Sequence, residues 1–428
     1  MESKLIVEGL EGKRSLKGEI AVGGAKNAIL KILPASTLFK DAVAIENVPA
    51  IEDVARMTEL LEAAGAQVAR AGTALSVEQP AEWNPVLDKK IAERLRASIV
   101  FTGPLLARTG HAEFPFPGGC VLGERSIDVF LNGFKAMGAS IQEDDSYFTI
   151  STKGKLQGAH IVFPLVSVTG TETLMLAAVL AEGKTVLENA AMEPEIAYLA
   201  EFLNSCGARI EGAGTSLIKI TGGGLLEAAG RVYVTPPDRI ETGSFILLAA
   251  LAGADVTITR CNPGWLTVPL EMLRRAGVRL EVGKDTIRVT ADGAPAHYSM
   301  FSIRTHEYPG FPTDLQAPMA AFLSQCEGEG SILETIFDGR FRYVDDLVLM
   351  GADMTVMNPH RIVIRGPKKL SRKELTSPDL RGGLAYIIAA TVAEGTSTIN
   401  NAYLIDRGYE HIEERLQKLG LNIKREQV

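Results

Sequence analysis

Apolar positions along the 428-residue chain fall into two alternating kinds of helical segment. Ala- and Leu-rich stretches, among them KNAILKILPASTLF, TETLMLAAVLAEG, ETGSFILLAALAG, DLQAPMAAFLSQ and DLRGGLAYIIAATVAEG, each predict a helix after a polar turn. Shorter stretches such as DVARMTELLEAAG and YEHIEERLQKLG carry apolar residues at three- and four-residue spacing, the period of an amphipathic helix. Short strands precede the first kind (GEIAV 18–22, GAHIVF 158–163, GRVYV 230–234). Strands ending in polar loops follow it: VAIENVP, TVLENAAMEP, DVTITRCNPG, SILETIFDGR and STINNAYLIDRG.

The second helix runs each time into one signature: GAQV (65–68), GASI (138–141), GARI (207–210), GVRL (277–280), GADM (351–354) and GLNI (420–423). Its glycines are 73, 69, 70, 74 and 69 residues apart, so six units of about seventy residues fill the chain. Glycine at that place ends a helix. The class is therefore α/β, as βαβα units with one or two further strands, and the length predicts two domains of three units each. In every unit the unexplained polar residues sit at the start of the first helix or in the loop before the second. Helix N-termini carry unpaired N–H groups and partial positive charge, which suits phosphates and carboxylates. Packing about a pseudo-threefold axis would bring several such termini to one cleft.

Composition narrows the function. A net charge of -8 argues against a nonspecific nucleic-acid binder but leaves room for a small anionic ligand. The start, MESKLIVEGLEGKRS, lacks a signal-peptide core, and the longest apolar run, residues 245–254, is far short of a bilayer span. A cytoplasmic protein with no membrane partner is the expectation. Cys120, Cys206, Cys261 and Cys326 lie 86, 55 and 65 residues apart with no CxxC pair or Cys/His cluster, so neither a zinc site nor a disulfide framework is expected.

Four basic residues stand at equivalent loop positions of this acidic chain: Lys26 in GGAKNA, Arg340 in FDGR, Arg381 in SPDLRGG and Arg407 in LIDRGYE. Together they suggest a multiply charged anionic substrate. Lys26 opens a helix against the dipole preference, and the glycines before it permit close approach of a ligand to the backbone. Arg96 occupies a similar phase in RLRAS, and FPFPGGCVLGER (114–125) places Cys120 near the guanidinium of Arg125, which favours thiolate. VSVTGTET (166–173) can cap its helix or hold a phosphate, and PPDRIETG reads as a capping pattern with an internal Asp–Arg pair. Asp314 in GFPTDLQ reads equally as a helix cap.

The series GGAKNA, RASIVFTGP, PGGCVLGER, VSV, ENAAMEPE, PDRIETG, FPTDLQ, GRF, DLR and IDRGYE resembles the enolpyruvyl transferase family, specifically its members acting on UDP-N-acetylglucosamine, in order through essentially the whole chain. The resemblance implies two inside-out α/β barrel domains, each of three βαβαββ repeats, one formed by residues 1–20 and 236–428 and the other by residues 21–235. It implies a transferase of peptidoglycan synthesis that moves the enolpyruvyl group of phosphoenolpyruvate to a sugar hydroxyl, with no metal or organic cofactor. By carry-over Lys26, Asn27, Arg125, Arg340, Arg381 and Arg407 would hold phosphoenolpyruvate. Asn27, Arg96, Ser167, Val168, Thr169, Asp314 and Ile336 would lie along the nucleotide sugar. Asp314 would be the base, Lys26 and Arg407 catalytic cations, and Cys120 either the acid or a covalent participant, on a lid formed by residues 114–125. Leu165, Gly339, Gly382 and Leu404 depart from the usual pattern, in place of a basic residue, Asn, Ala and His. The lid cysteine and the KNA opening separate the chain from 5-enolpyruvylshikimate-3-phosphate synthase, which shares the fold and chemistry. Joint retention of Lys26, Cys120, Asp314 and Arg407 argues against a noncatalytic nucleotide-sugar binder.

Overall fold

A computed structural model describes residues 3–116, 127–144, 146–291 and 297–427. Cys120 and Arg125 lie outside the described residues. All six signature glycines take left-handed φ angles, between 88° and 112°. Each closes its helix with the same pair of hydrogen bonds. In the first repeat the Gly65 N–H donates to Glu62 O and the Ala66 N–H to Leu61 O; in the last, Gly420 donates to Gln417 O and Leu421 to Leu416 O. A side chain at those glycines would be strained, which is why the signature survives as a sequence repeat.

The described strands form six separate sheets, five of four strands and one of three, and no sheet closes into a barrel. The chain divides into two compact units. Among the described residues one comprises 3–23 and 237–427, and the other lies within 24–236. The expected breaks at 20 and 235 thus move slightly later. The Gly23 N–H is held by Glu241 of its own unit at 2.8 Å, whereas Ala25 N–H donates to Pro236 O at 2.7 Å.

Two strands are exchanged relative to chain order. Leu16–Ala21 pairs in parallel with Gly253–Thr259, and Val232–Val234 pairs in parallel with Val43–Glu46. Each unit therefore closes on a strand from the far end of its own sequence. The N-terminal strand Ser3–Glu8 likewise sits between Thr396–Asn400 and Ile423–Gln427.

Each repeat contributes one inner helix. In the unit within 24–236 these are α1 (Lys26–Ala35), α2 (Thr102–Thr109) and α3 (Val168–Ala178). In the other unit they are α4 (Arg239–Ala252), α5 (Gln316–Leu323) and α6 (Leu380–Val392), which pack against one another. Every residue of α4 and α5 is buried, and so is all of α6 after Leu380. Helices apolar all round require burial on every side, so they occupy the centre and the amphipathic helices lie outside them. The inside-out arrangement follows from that difference.

Two of the inner helices carry a charge inside an apolar run. Lys31 of α1 and Glu172 of α3 form a buried ion pair, with side chains 9% and 1% exposed. Burial pushes the Glu172 carboxyl up to about 7; Lys31 works against this, while Glu195 and Glu193 add to it. The folded pKa thus exceeds the unfolded carboxylate's value of about 4.3. The stability Glu172 contributes is therefore complete below pH ~4.3 and is lost as pH rises through about 7. Lys31→Met is expected to destabilise the fold by about 3 kcal/mol near pH 8, and by clearly less near pH 5, where Glu172 is protonated. Denaturant unfolding of both proteins at the two pH values checks it; an equal cost at both would mean that Glu172 does not titrate in this range.

Candidate active site

Aspartates stand at the start of the fourth, fifth and sixth inner helices, and the structure separates their roles. Asp238 caps α4, its Oδ1 accepting from the N–H groups of Ile240 and Glu241 at 2.8 and 3.0 Å. Asp379 caps α6 in the same way, accepting from Arg381 and Gly382 N–H at 2.8 and 3.0 Å. The capping pattern expected in PDRIETG is present, and Arg239 lies over the Tyr308 ring at 5.7 Å. Asp314 does not cap. It lies in the 3₁₀ turn Thr313–Leu315 that leads into α5, and both of its oxygens face guanidiniums. Arg340 Nη2 donates to Oδ1 at 2.8 Å, and Arg381 donates to Oδ2 from Nη2 at 2.9 Å and from Nε at 3.3 Å.

Arg340 comes from the turn after strand Gly328–Leu333, and Arg381 from the first turn of α6. Their side chains are 3% and 4% exposed, against 27% for Asp314. Burial opposes ionisation of Asp314, yet Arg381 and Arg340 outweigh it and hold the carboxyl far below the usual carboxylate range. The Asp314 side chain is thus the most exposed member of the cluster. Arg381 Nη1 also donates to the buried Tyr409 hydroxyl at 3.0 Å, which lies 3.0 Å from Ser244 Oγ. Burial raises the Tyr409 pKa, so the phenol stays protonated at neutral pH and anchors the far side of Arg381.

The other predicted residues fall in two places. Ile336 shares the Arg340 loop, its N–H donating to Glu334 Oε1 at 2.8 Å, and Arg407 is half-buried at the end of the short helix Tyr403–Asp406. Lys26, Asn27, Arg96, Ser167, Val168 and Thr169 belong to the other unit. Lys26 opens α1 and pairs with Asp53 at 2.7 Å, both side chains largely buried. Asn27, Arg96, Val168 and Thr169 are half-buried. Ser167 is a cap, its Oγ accepting from Gly170 N–H at 3.1 Å.

Several expectations change in detail. Gly24 serves internal packing, because a Cβ there would lie 1.9 Å from the Asn47 carbonyl oxygen. Phe114 and Pro115, expected to begin a lid, belong to strand His111–Pro115, and Phe114 is buried against Phe148 with ring centroids 5.2 Å apart. Gly339 takes φ 66°, a region that Gly and Asn tolerate best, so its exchange with Asn is conformationally reasonable. Leu165 is 76% exposed just ahead of the Ser167 cap.

Asp53, Thr313, Glu334 and Tyr409 were not singled out from the sequence as site residues. Among the described residues no cluster of His, Cys, Asp and Glu is arranged to hold a metal, and no helix is long and apolar enough to cross a membrane. Burial pushes the thiols of Cys261 and Cys326 up to about 11 and about 12, and that of Cys206 upward, so these three are poor thiolates near neutral pH.

Two units of three sheets around buried helices, with a carboxylate clamped by two arginines in the fifth repeat, define an enolpyruvyl transferase fold. The chain superposes on the enolpyruvyl transferase NikO from Streptomyces tendae with a TM-score of 0.86, at 24% identity over 99% of each chain. It superposes on EPSP synthase from Acinetobacter baumannii with a TM-score of 0.71, at 19% identity over 100% of each. The chain belongs to the family of EPSP synthase (3-phosphoshikimate 1-carboxyvinyltransferase), whose sequence model matches residues 10–416. It is 43% identical, over 97% of its length and 95% of the relative's, to a protein of Acidobacterium capsulatum named UDP-N-acetylglucosamine 1-carboxyvinyltransferase. Relatives of the same name from Magnetococcus marinus and Aeromonas hydrophila subsp. hydrophila are 43% and 42% identical, each over 97% of this chain and 98% of their own.

Proposed function

We propose that this protein transfers the enolpyruvyl group of phosphoenolpyruvate to the 3′-hydroxyl of UDP-N-acetylglucosamine with release of phosphate, the committed step into peptidoglycan. The observation that carries this reading is the Asp314 carboxylate held between Arg340 and Arg381, in a chain so similar over its length to UDP-N-acetylglucosamine 1-carboxyvinyltransferases.

The chemistry is addition followed by elimination. A proton is added to the methylene carbon of phosphoenolpyruvate while the sugar oxygen bonds to its second carbon, and Asp314 takes the hydroxyl proton. The ketal then loses a proton from the new methyl group, the double bond re-forms, and phosphate leaves. Asp314 is ionised at neutral pH, as a base must be, but its two arginines make it a weak one. A phosphate or carboxylate of the substrate that draws on Arg340 or Arg381 relieves that hold and strengthens the base when substrate is present. Lys26, Arg125 and Arg407 hold the anionic groups of phosphoenolpyruvate, and Asn27, Arg96, the 167–169 turn and Ile336 hold the sugar nucleotide. Cys120 acts as proton donor or covalent participant; the high thiol pKa values of Cys261 and Cys326 favour it as the reactive cysteine. The experiment is phosphate release from phosphoenolpyruvate by the wild-type protein with and without UDP-N-acetylglucosamine. Release is expected only with the sugar nucleotide, and release independent of it would overturn the reading.

A further inference from the structure

Arg340 has two hydrogen-bonding tasks. Nη2 donates to Asp314, and Nη1 donates to Thr313 Oγ1 at 2.7 Å. A guanidinium has no acceptor, so Thr313 accepts at that contact and its single hydroxyl proton points elsewhere. It points to Glu334 Oε2, at 2.8 Å. Glu334 is fully buried at the end of strand Gly328–Leu333, and its Oε1 accepts from Thr305 Oγ1 at 3.0 Å, Ile336 N–H at 2.8 Å and Phe337 N–H at 3.2 Å. Four donors therefore fix that carboxylate, and the carboxylate fixes the direction of the Thr313 hydroxyl.

We propose that Thr313 is a positioning residue for Asp314, acting through Arg340, with Glu334 setting the orientation of its hydroxyl. This rests on the reading that Asp314 receives the acceptor proton. The same loop that supplies Ile336 and Arg340 also supplies the two backbone donors to Glu334, so the loop's conformation is tied to the guanidinium it presents. While this relay is intact, one N–H of Arg340 Nη1 is committed to Thr313 and Nη2 to Oδ1 of Asp314, so the two bonds together orient the guanidinium plane. Without the hydroxyl the guanidinium loses its anchor beside Asp314, and a misplaced base costs rate more than substrate affinity.

Thr313→Val keeps the shape and removes the hydroxyl, whereas Thr313→Ser keeps the hydroxyl and removes the methyl. Steady-state phosphate release is expected to show kcat lowered about 10- to 100-fold in Thr313→Val, with KM for each substrate within about threefold of wild type. Thr313→Ser should stay within about threefold of wild type in kcat, and Thr313→Ala, which carries the same reading should the Val variant not fold, should match the loss expected of Thr313→Val. A packing role gives the opposite order, with Val harmless and Ser impaired, and that order would overturn the proposal. So would a Val variant as active as wild type, or one whose loss lies in KM alone. If Asp314→Asn itself keeps full activity, it is the base assignment that fails, whatever the Thr313 variants do.

Discussion

Asp314→Asn is expected to lower kcat about 1000-fold without raising the KM for phosphoenolpyruvate. Asn has the size of Asp but neither its charge nor its basicity, and its amide N–H₂ must face one of two guanidiniums that have nothing to accept with. Arg340 and Arg381 then sit buried without their counter-ion, so the variant also loses stability, by about 3 kcal/mol at neutral pH. The pH dependence has a definite sign. The folded pKa of Asp314 lies well below the unfolded value of about 3.9, so its contribution is present above that pH and lost only in strong acid. The stability gap between wild type and variant should therefore be constant from about pH 5 upward and narrow in acid. Activity within tenfold of wild type would mean that the acceptor proton goes to another group.

Arg381→Met is expected to be the next most damaging change. It removes both bonds to Asp314 Oδ2 and leaves the Tyr409 hydroxyl without the guanidinium it accepts from. The remaining Asp314–Arg340 pair lacks the second cation that overcame burial, so the carboxylate is less firmly ionised and is held at Oδ1 alone. A kcat loss of about 100-fold and a destabilisation of about 3 kcal/mol are expected, measured by phosphate release and by denaturant unfolding. Arg381→Lys keeps the charge but cannot reach Asp314 and Tyr409 with one fork, and should fall between the two. A lysine variant indistinguishable from wild type would show that charge alone matters at this position.

The repeat was legible in the sequence because it depends on a backbone requirement. Six helices end in the same left-handed turn, only glycine takes that turn cheaply, and the residue is therefore visible at each position. The Asp314 cluster was half legible. An aspartate at a helix start looks the same whether it accepts from backbone N–H groups, as Asp238 and Asp379 do, or from arginines. What distinguishes Asp314 is the arrival of Arg340 and Arg381, 26 and 67 residues away, which local pattern cannot report. Lys31 and Glu172 were not singled out for the same reason, being 141 residues apart. Their signal was nonetheless present: a charge inside an otherwise apolar helical run (AILKIL, TETLML) demands a buried partner. Thr313 and Glu334 gave no such signal, since a threonine before an aspartate and a glutamate at a strand end are ordinary in loops.

The activity itself is most directly tested by the choice of acceptor. Wild-type protein would be given phosphoenolpyruvate together with UDP-N-acetylglucosamine, with shikimate 3-phosphate, or with neither, and phosphate followed over time. The expected result is sustained release with the sugar nucleotide and none with shikimate 3-phosphate or without an acceptor. Turnover with shikimate 3-phosphate and none with UDP-N-acetylglucosamine would contradict it.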